Sequence, residues 1–223
     1  QVALKTVPAG QRPAALSAHL MAFTSQGEAH YNAGQHQQVV QVLGLLLTNA
    51  GQYQKVTGYD RGLYFLGLGN YQLDRAAEKA GTKPDEKATL ASLRALAAPT
   101  MKESSLWADA TWLLARILHR RSEWQQANKH YSDLIAGKAP QAADSSYYRA
   151  ISLFESSSSA GAGGAALLSN AATEFAAFSK TYPRHKFAAR AVYYEGISLF
   201  NGGSYAAAAV KLGAYSSGGS DAE

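Results

Sequence analysis

The sequence contains no cysteine, which excludes disulfides and thiolate metal sites. It has no run of about 18 apolar residues, so no membrane-spanning segment is expected. Its six histidines are scattered. His30 and His36 stand six apart, on different faces of a helix-turn, and no His-Glu-x-x-His occurs, so no metal centre is expected. The Gly-x-Ser-x-Gly elbow of hydrolases is missing. The glycine-rich "GAGGAALL", Gly161 to Leu168, is not followed by Lys-Ser/Thr and not preceded by a strand. It reads as a flexible loop rather than a phosphate cradle. "ESSSS", from Glu155, reads as a solvated linker. With catalytic motifs absent, the expectation is a protein that is not an enzyme and carries no cofactor.

Charge is sparse as well. Only 17% of the residues are charged, and the formal net charge is +5. The densest basic run, "RILHRR" from Arg116 to Arg121, reads as a solvated helix face. Nucleic-acid binding wants a denser Lys/Arg stripe, so no nucleic-acid partner is expected. What the chain does have is length and apolar content: 223 residues, 47% hydrophobic, enough for a substantial core and one to two domains. Tyrosine is abundant at 13, against 7 Phe and 3 Trp, and tyrosine suits surfaces that are partly wet.

A spaced outline recurs along the chain. Gly27 and Gly34 are followed by His36, Val39 and Leu43. Gly196 and Gly203 are followed by Tyr205, Ala208 and Leu212 at the same intervals. Gly62, Gly69 and Tyr71 repeat part of it, and Ala115, Ser122, Trp124, Ala127 and Tyr131 repeat most of it. A split copy runs through Ala150, Ala171, Phe175, Phe178 and Pro183. Apolar spacings of three and four are helical rather than strand-like. The first small residue admits a neighbouring helix, and the later Ala127, Ala171 or Ala208 does the same on a return helix. The Gly or Ser between them begins a turn, and Pro140 and Pro183 end second helices. Each copy is therefore a helix-turn-helix hairpin.

On these residues the sequence resembles the tetratricopeptide repeat, of period 34. The small residues step by 35 (27 to 62), 53 (62 to 115), 35 (115 to 150) and 46 (150 to 196). The long steps imply insertions at about 73–87 and 155–166. The resemblance implies an all-α fold: an α-solenoid of about five TPR-like hairpins in a right-handed superhelix. An extended lead-in over 1–15 and a single solenoid over 16–223 follow, with the second back helix at Glu86 to Ala98. "FAAFSKTYPRHKFAARAVYYEGISLFNGGSYAAAAVKL" also resembles repeats of bacterial envelope proteins. These are the outer-membrane assembly lipoproteins and the Tol-associated periplasmic coordinator. That likeness implies a periplasmic or outer-membrane-associated location, with the cytoplasm as the alternative. The chain begins with Gln1, and trimming is expected, so any signal peptide or lipid-bearing Cys is not visible in it. It ends in "SSGGSDAE", where either further repeats or contact with another chain is expected.

The family lines its concave face mainly with first helices. Positions three before the small residue give Thr24, Tyr59, Trp112, Tyr147 and Tyr193. Positions four after give Tyr31, Leu66, His119, Phe154 and Phe200. Arg116 follows one after, and Asn32, Arg120 and Asn201 five after. The resemblance therefore implies a partner trough of Tyr31, Asn32, Tyr59, Trp112, Arg116, His119, Arg120, Tyr147, Tyr193 and Asn201. Such rings hold a peptide or helix with little side-chain entropy lost. The Asn-plus-basic clamp of chaperone-tail binders is not reproduced. The expected function is a scaffold for a protein or peptide in envelope assembly. The alternative is a cell-wall or glycan-associated module of a larger envelope complex, its rings stacking on sugars.

Overall fold

A computed structural model of the chain describes residues 8–217. The expected lead-in up to Val7 and the tail from Gly218 lie outside the described residues. Those described form α-helices and short 3-10 turns, and no strand occurs among them. Contacts divide the chain into two compact units, one ending at Thr111 and one beginning at Trp112.

The first unit opens with α1 (Arg12–Asn32), which begins inside the expected lead-in. Pro13 sits in its first turn, where a missing N–H costs nothing. Helix α2 (His36–Leu43) returns along it, and the short α3 (Leu45–Thr48) and α4 (Ala50–Tyr53) follow. Helix α5 (Tyr59–Lys79) pairs with α6 (Lys87–Leu96), close to the expected back helix. The expected insertion at 73–87 is half helix. "LDRAAEK" is built of good helix formers, so α5 runs on to Lys79, and an Arg75–Glu78 ion pair supports the added turns. Thr89 Oγ1 donates to Asp74 Oδ2 at 2.5 Å and ties α6 to this extension. Leu20, Val39, Leu43, Leu63, Leu66, Leu93 and Leu96 form the apolar interior.

Helix α7 (Trp107–Arg120) spans the division between the units. The second unit continues with α8 (Trp124–Ala136), α9 (Ala142–Ser157), α10 (Gly164–Thr181), α11 (Ala188–Asn201) and α12 (Tyr205–Ser217). Its core gathers Tyr147, Ala150, Ile151, Ala171, Phe175, Phe178 and Ala191. The serine run is no free linker. Ser156, Ser157, Ser158 and Ser159 each donate to a carbonyl three or four residues back, which caps the end of α9. Gly161 to Gly163 then form a 3-10 turn into α10.

Five hairpins result among the described residues: α1/α2, α5/α6, α7/α8, α9/α10 and α11/α12. Three share one short turn, whose closure also ends α5 through Thr82 N–H on Ala77 O after the left-handed Gly81. Gln35 N–H donates to His30 O, Glu123 N–H to Leu118 O and Ser204 N–H to Leu199 O, at 2.8 to 2.9 Å. This closure needs a left-handed residue just before it. Gly34 and Gly203 fill that place, and in α7/α8 it is Ser122, at φ 59°.

Candidate partner-binding surfaces

The trough expected from counting splits into exposed, half-buried and buried residues. In the first unit Tyr31 is half-buried, its ring 5.4 Å from His36 and 5.6 Å from Phe65. Asn32 is exposed at the end of α1. Tyr59 is a correction: it is 5% exposed, and burial raises its hydroxyl pKa. Leu63 and Leu66, counted from the same glycine, are also interior.

The cause is a difference in what each small residue faces. A Cβ on Gly27 would lie 2.5 Å from Leu43, and one on Gly196 would lie 2.7 Å from Leu212. Both leucines belong to the glycine's own back helix. A Cβ on Gly62 would instead run into Leu46 Cδ1 of the short α3 and lie 3.2 Å from Thr24 Oγ1 of α1, both in elements that precede α5. The residue of α5 that admits its own back helix is Gly67, 2.9 Å from Leu93 by the same measure. Gly69, expected at a turn, lies mid-helix against Val39. Helix α5 is approached from two sides, so positions counted from Gly62 rotate inward.

The side chains of α5 that do face open space are Arg61, Tyr64 and Phe65. With Met21, Ser25 and Glu28 of α1 they line a groove of about 460 Å³. Met21 is 54% exposed. Arg61 Nη2 donates to Glu28 Oε2 at 2.5 Å across the groove. This pair is solvent-facing, and such pairs contribute little to stability. Ser104 Oγ donates to Asp60 Oδ2 at 2.6 Å at one edge.

In the second unit the structure brings together Trp112, Arg116 and His119, all around Tyr148. The Tyr148 ring is 5.7 Å from both Trp112 and His119 and stacks on Tyr131 at 6.0 Å. The Arg116 guanidinium lies 3.8 Å above the Tyr148 ring and 5.8 Å from Trp112. It has no ion-pair partner among the described residues, and its Nη1 is buried without a hydrogen bond. Cation–π contact offsets part of that desolvation. His119 Nδ1 lies 3.1 Å from Ser152 Oγ. Burial, with Arg116 nearby as the smaller cause, lowers the His119 pKa from 6.5 to about 4, so the ring is neutral at pH 7. Burial likewise raises the Tyr131 hydroxyl despite the neighbouring Arg116.

Tyr147 is the second correction. It is 5% exposed and stacked on Phe187 at 4.4 Å, with Phe175 and Phe178 against its sides. It fills the core rather than lining a trough. Arg120 and Asn201 are exposed. Tyr193 is 39% exposed, beside Tyr194 and Tyr215. Counting missed Arg61, Tyr64, Phe65 and Met21. Their signal was three glycines on a single helix, Gly62, Gly67 and Gly69, which no one packing neighbour explains. No group of His, Asp or Glu that could hold a metal occurs among the described residues. No described helix is long and apolar enough to cross a membrane.

No family model and no curated protein matches the chain. Among solved structures it is similar to the nearly identical TPR-like repeats of a kinesin light chain-like protein of Podosopora anserina. The TM-score is 0.53 at 13% identity, over 90% of this chain and 95% of that one. A single-substitution variant of the same repeats gives 0.52 at 13% identity, over 90% and 94%. At this identity the likeness shows the fold alone. The fold class is all-α, of the α-solenoid kind built from TPR-like helical hairpins.

Proposed function

We propose that this chain is a non-enzymatic scaffold that holds a protein or peptide partner on the front-helix faces of its hairpins, in bacterial cell-envelope assembly. The observation that carries the reading is the groove of the first unit. An exposed methionine and two half-buried rings make its floor, and Glu28 and Arg61 make a polar rim. An apolar floor with few polar groups suits an amphipathic helix or an extended peptide. Methionine adapts its shape to such partners, and tyrosine contributes contact area at small entropic cost. In the second unit the partly buried Arg116 on its aromatic shelf offers a donor to an acidic side chain. The envelope setting is supported by the sequence resemblance around Phe175 to Leu212.

The test is capture from a native envelope fraction with three proteins: wild type, Met21→Glu and Arg61→Glu. Both substituted residues are exposed, so the variants keep the fold. The reading expects a discrete partner on wild type that both variants lose. Equal capture by all three would sink the groove. Recovery of the native protein in the cytosolic fraction would sink the envelope setting and leave the scaffold standing.

A further inference from the structure

The chain contains one stretch twice. "YYRAISLF" spans Tyr147 to Phe154, and "YYEGISLF" spans Tyr193 to Phe200. The two differ only at Arg149-Ala150 against Glu195-Gly196. In the fold, the first copy receives the second. The Tyr194 ring lies 6.5 Å from Tyr147 and 5.5 Å from Phe154, and it stacks on Phe175 at 5.5 Å with 20° between the planes.

The preceding pair of hairpins repeats this arrangement with other residue types. Tyr148 lies between Trp112 and His119 and stacks on Tyr131 with 24° between the planes. Trp112 and His119 are seven apart, as are Tyr147 and Phe154. Tyr131 stands four after Ala127, and Phe175 four after Ala171. So each of these two hairpins builds a three-walled socket for the second ring of the Tyr-Tyr pair on the next front helix. Each incoming helix also brings Ser or Ala three before its tyrosine and Ser four after it. These are Ser145 and Ser152 for Tyr148, and Ala191 and Ser198 for Tyr194. All four are at most 1% exposed.

The last hairpin repeats the walls. Tyr193 and Phe200 are seven apart, and Leu212 stands four after Ala208. Tyr193 packs on Tyr215 at 5.3 Å and Phe200 on Tyr205 at 5.3 Å, so the walls are held by their own unit. Yet Tyr193 is 39% exposed and Phe200 52%, with Tyr205 at 65% and Val210 at 70% beside them. The filled counterpart of Tyr193, Tyr147, is 5% exposed.

We propose that Tyr193, Phe200 and Leu212 form a socket for a tyrosine carried on a helix of another protein, in the pattern Ala/Ser-x-x-Tyr-x-x-x-Ser. The pattern is what the two filled sockets hold. A second copy of this chain is a poor source. Tyr148 and Tyr194 are the only tyrosines of the sequence in that pattern, and the Ser and Ala residues on either side of each are buried within their own unit. The small flanking residues let the partner backbone come close, and the ring supplies the buried area. This proposal does not depend on the groove of the first unit.

The probe is a fluorescent peptide of the Gln141–Ser157 sequence, stapled as a helix on the face away from Tyr148. It is titrated into the intact protein and followed by anisotropy. Saturable binding is expected, weakened about tenfold or more by Phe200→Ala in the protein and by Tyr148→Ala in the peptide. Phe200 is a surface residue, so its truncation leaves the helical circular dichroism unchanged. Binding that ignores both substitutions, or no saturation, overturns the proposal. Phe200-dependent self-association in sedimentation equilibrium also overturns it, because the socket would then hold a second copy.

Discussion

Helix α5 of the first unit and helix α11 of the second each carry the glycine that opens the same spaced outline, and they use it differently. Gly196 admits Leu212 from its own back helix, whereas Gly62 admits Leu46 from α3, the short helix that follows the preceding hairpin. A glycine inside a helix records that something comes close, and it does not record what. Around Gly196 the counted positions Tyr193 and Phe200 are exposed. Around Gly62 the counted positions Tyr59, Leu63 and Leu66 are core, and the open face passes to Arg61, Tyr64 and Phe65.

The sharpest way to break this comparison is to truncate matched rings. Tyr147→Ala removes a buried ring from the core of the second unit, and a loss of about 3–5 kcal/mol is expected. Tyr193→Ala, at the same counted position, removes an exposed one, and a loss under about 1 kcal/mol is expected. Urea midpoints of the two variants give the contrast directly, and equal losses would erase it.

A smaller effect sharpens the glycine argument. Gly62→Ala overpacks its site, at a cost of about 1–3 kcal/mol. Combining it with Leu46→Ala relieves the clash, with a coupling of about 1 kcal/mol, while combining it with Leu93→Ala leaves the two losses additive. The reverse holds for Gly67→Ala. Coupling of Gly62 to Leu93 would show that Gly62 faces its own hairpin after all.

How much of this was legible in the sequence follows from the same physics. The hairpins were legible because their spacing and turn residues are local. Helices end at Ala136 and Thr181, ahead of Pro140 and Pro183, and Gly34 and Gly203 stand at positive φ in the turns. The open face was legible around Gly196, where Tyr193 and Phe200 are exposed, but not around Gly27, which also meets its own back helix and leaves Thr24 buried. For α5 the deciding contact, Gly62 on Leu46, is with the short α3 outside its own hairpin, and no spacing within α5 encodes it. The serine run after Glu155 misled for a related reason: serine hydroxyls that satisfy helix carbonyls look the same in composition as those that face water.

Protonation offers a subtler contrast between buried and exposed rings. His119 has its folded pKa lowered from 6.5 to about 4, so the unfolded chain binds its proton first on acidification. Its contribution is complete above about pH 6.5 and is lost as the pH falls toward 4. His119→Phe keeps a ring against Tyr148 and removes the titration. The drop in urea midpoint between pH 7 and pH 4.5 is expected to be shallower in that variant, and an unchanged drop would mean that His119 is not buried as described. The smallest expected effect is at the turn of α7/α8. Ser122→Gly relieves a left-handed backbone strain and should raise stability by about 0.5–1 kcal/mol, as a small rise in Tm.

The central claim is that counted positions of equal rank are core in one hairpin and surface in another. Residue-resolved hydroxyl-radical footprinting of the native protein tests it most directly. The structure predicts rapid modification of Tyr205 and Tyr193, with Tyr59, Tyr131 and Tyr147 strongly protected. Modification of Tyr59 or Tyr147 at the rate of Tyr205 would contradict the account and return both residues to the partner-binding face.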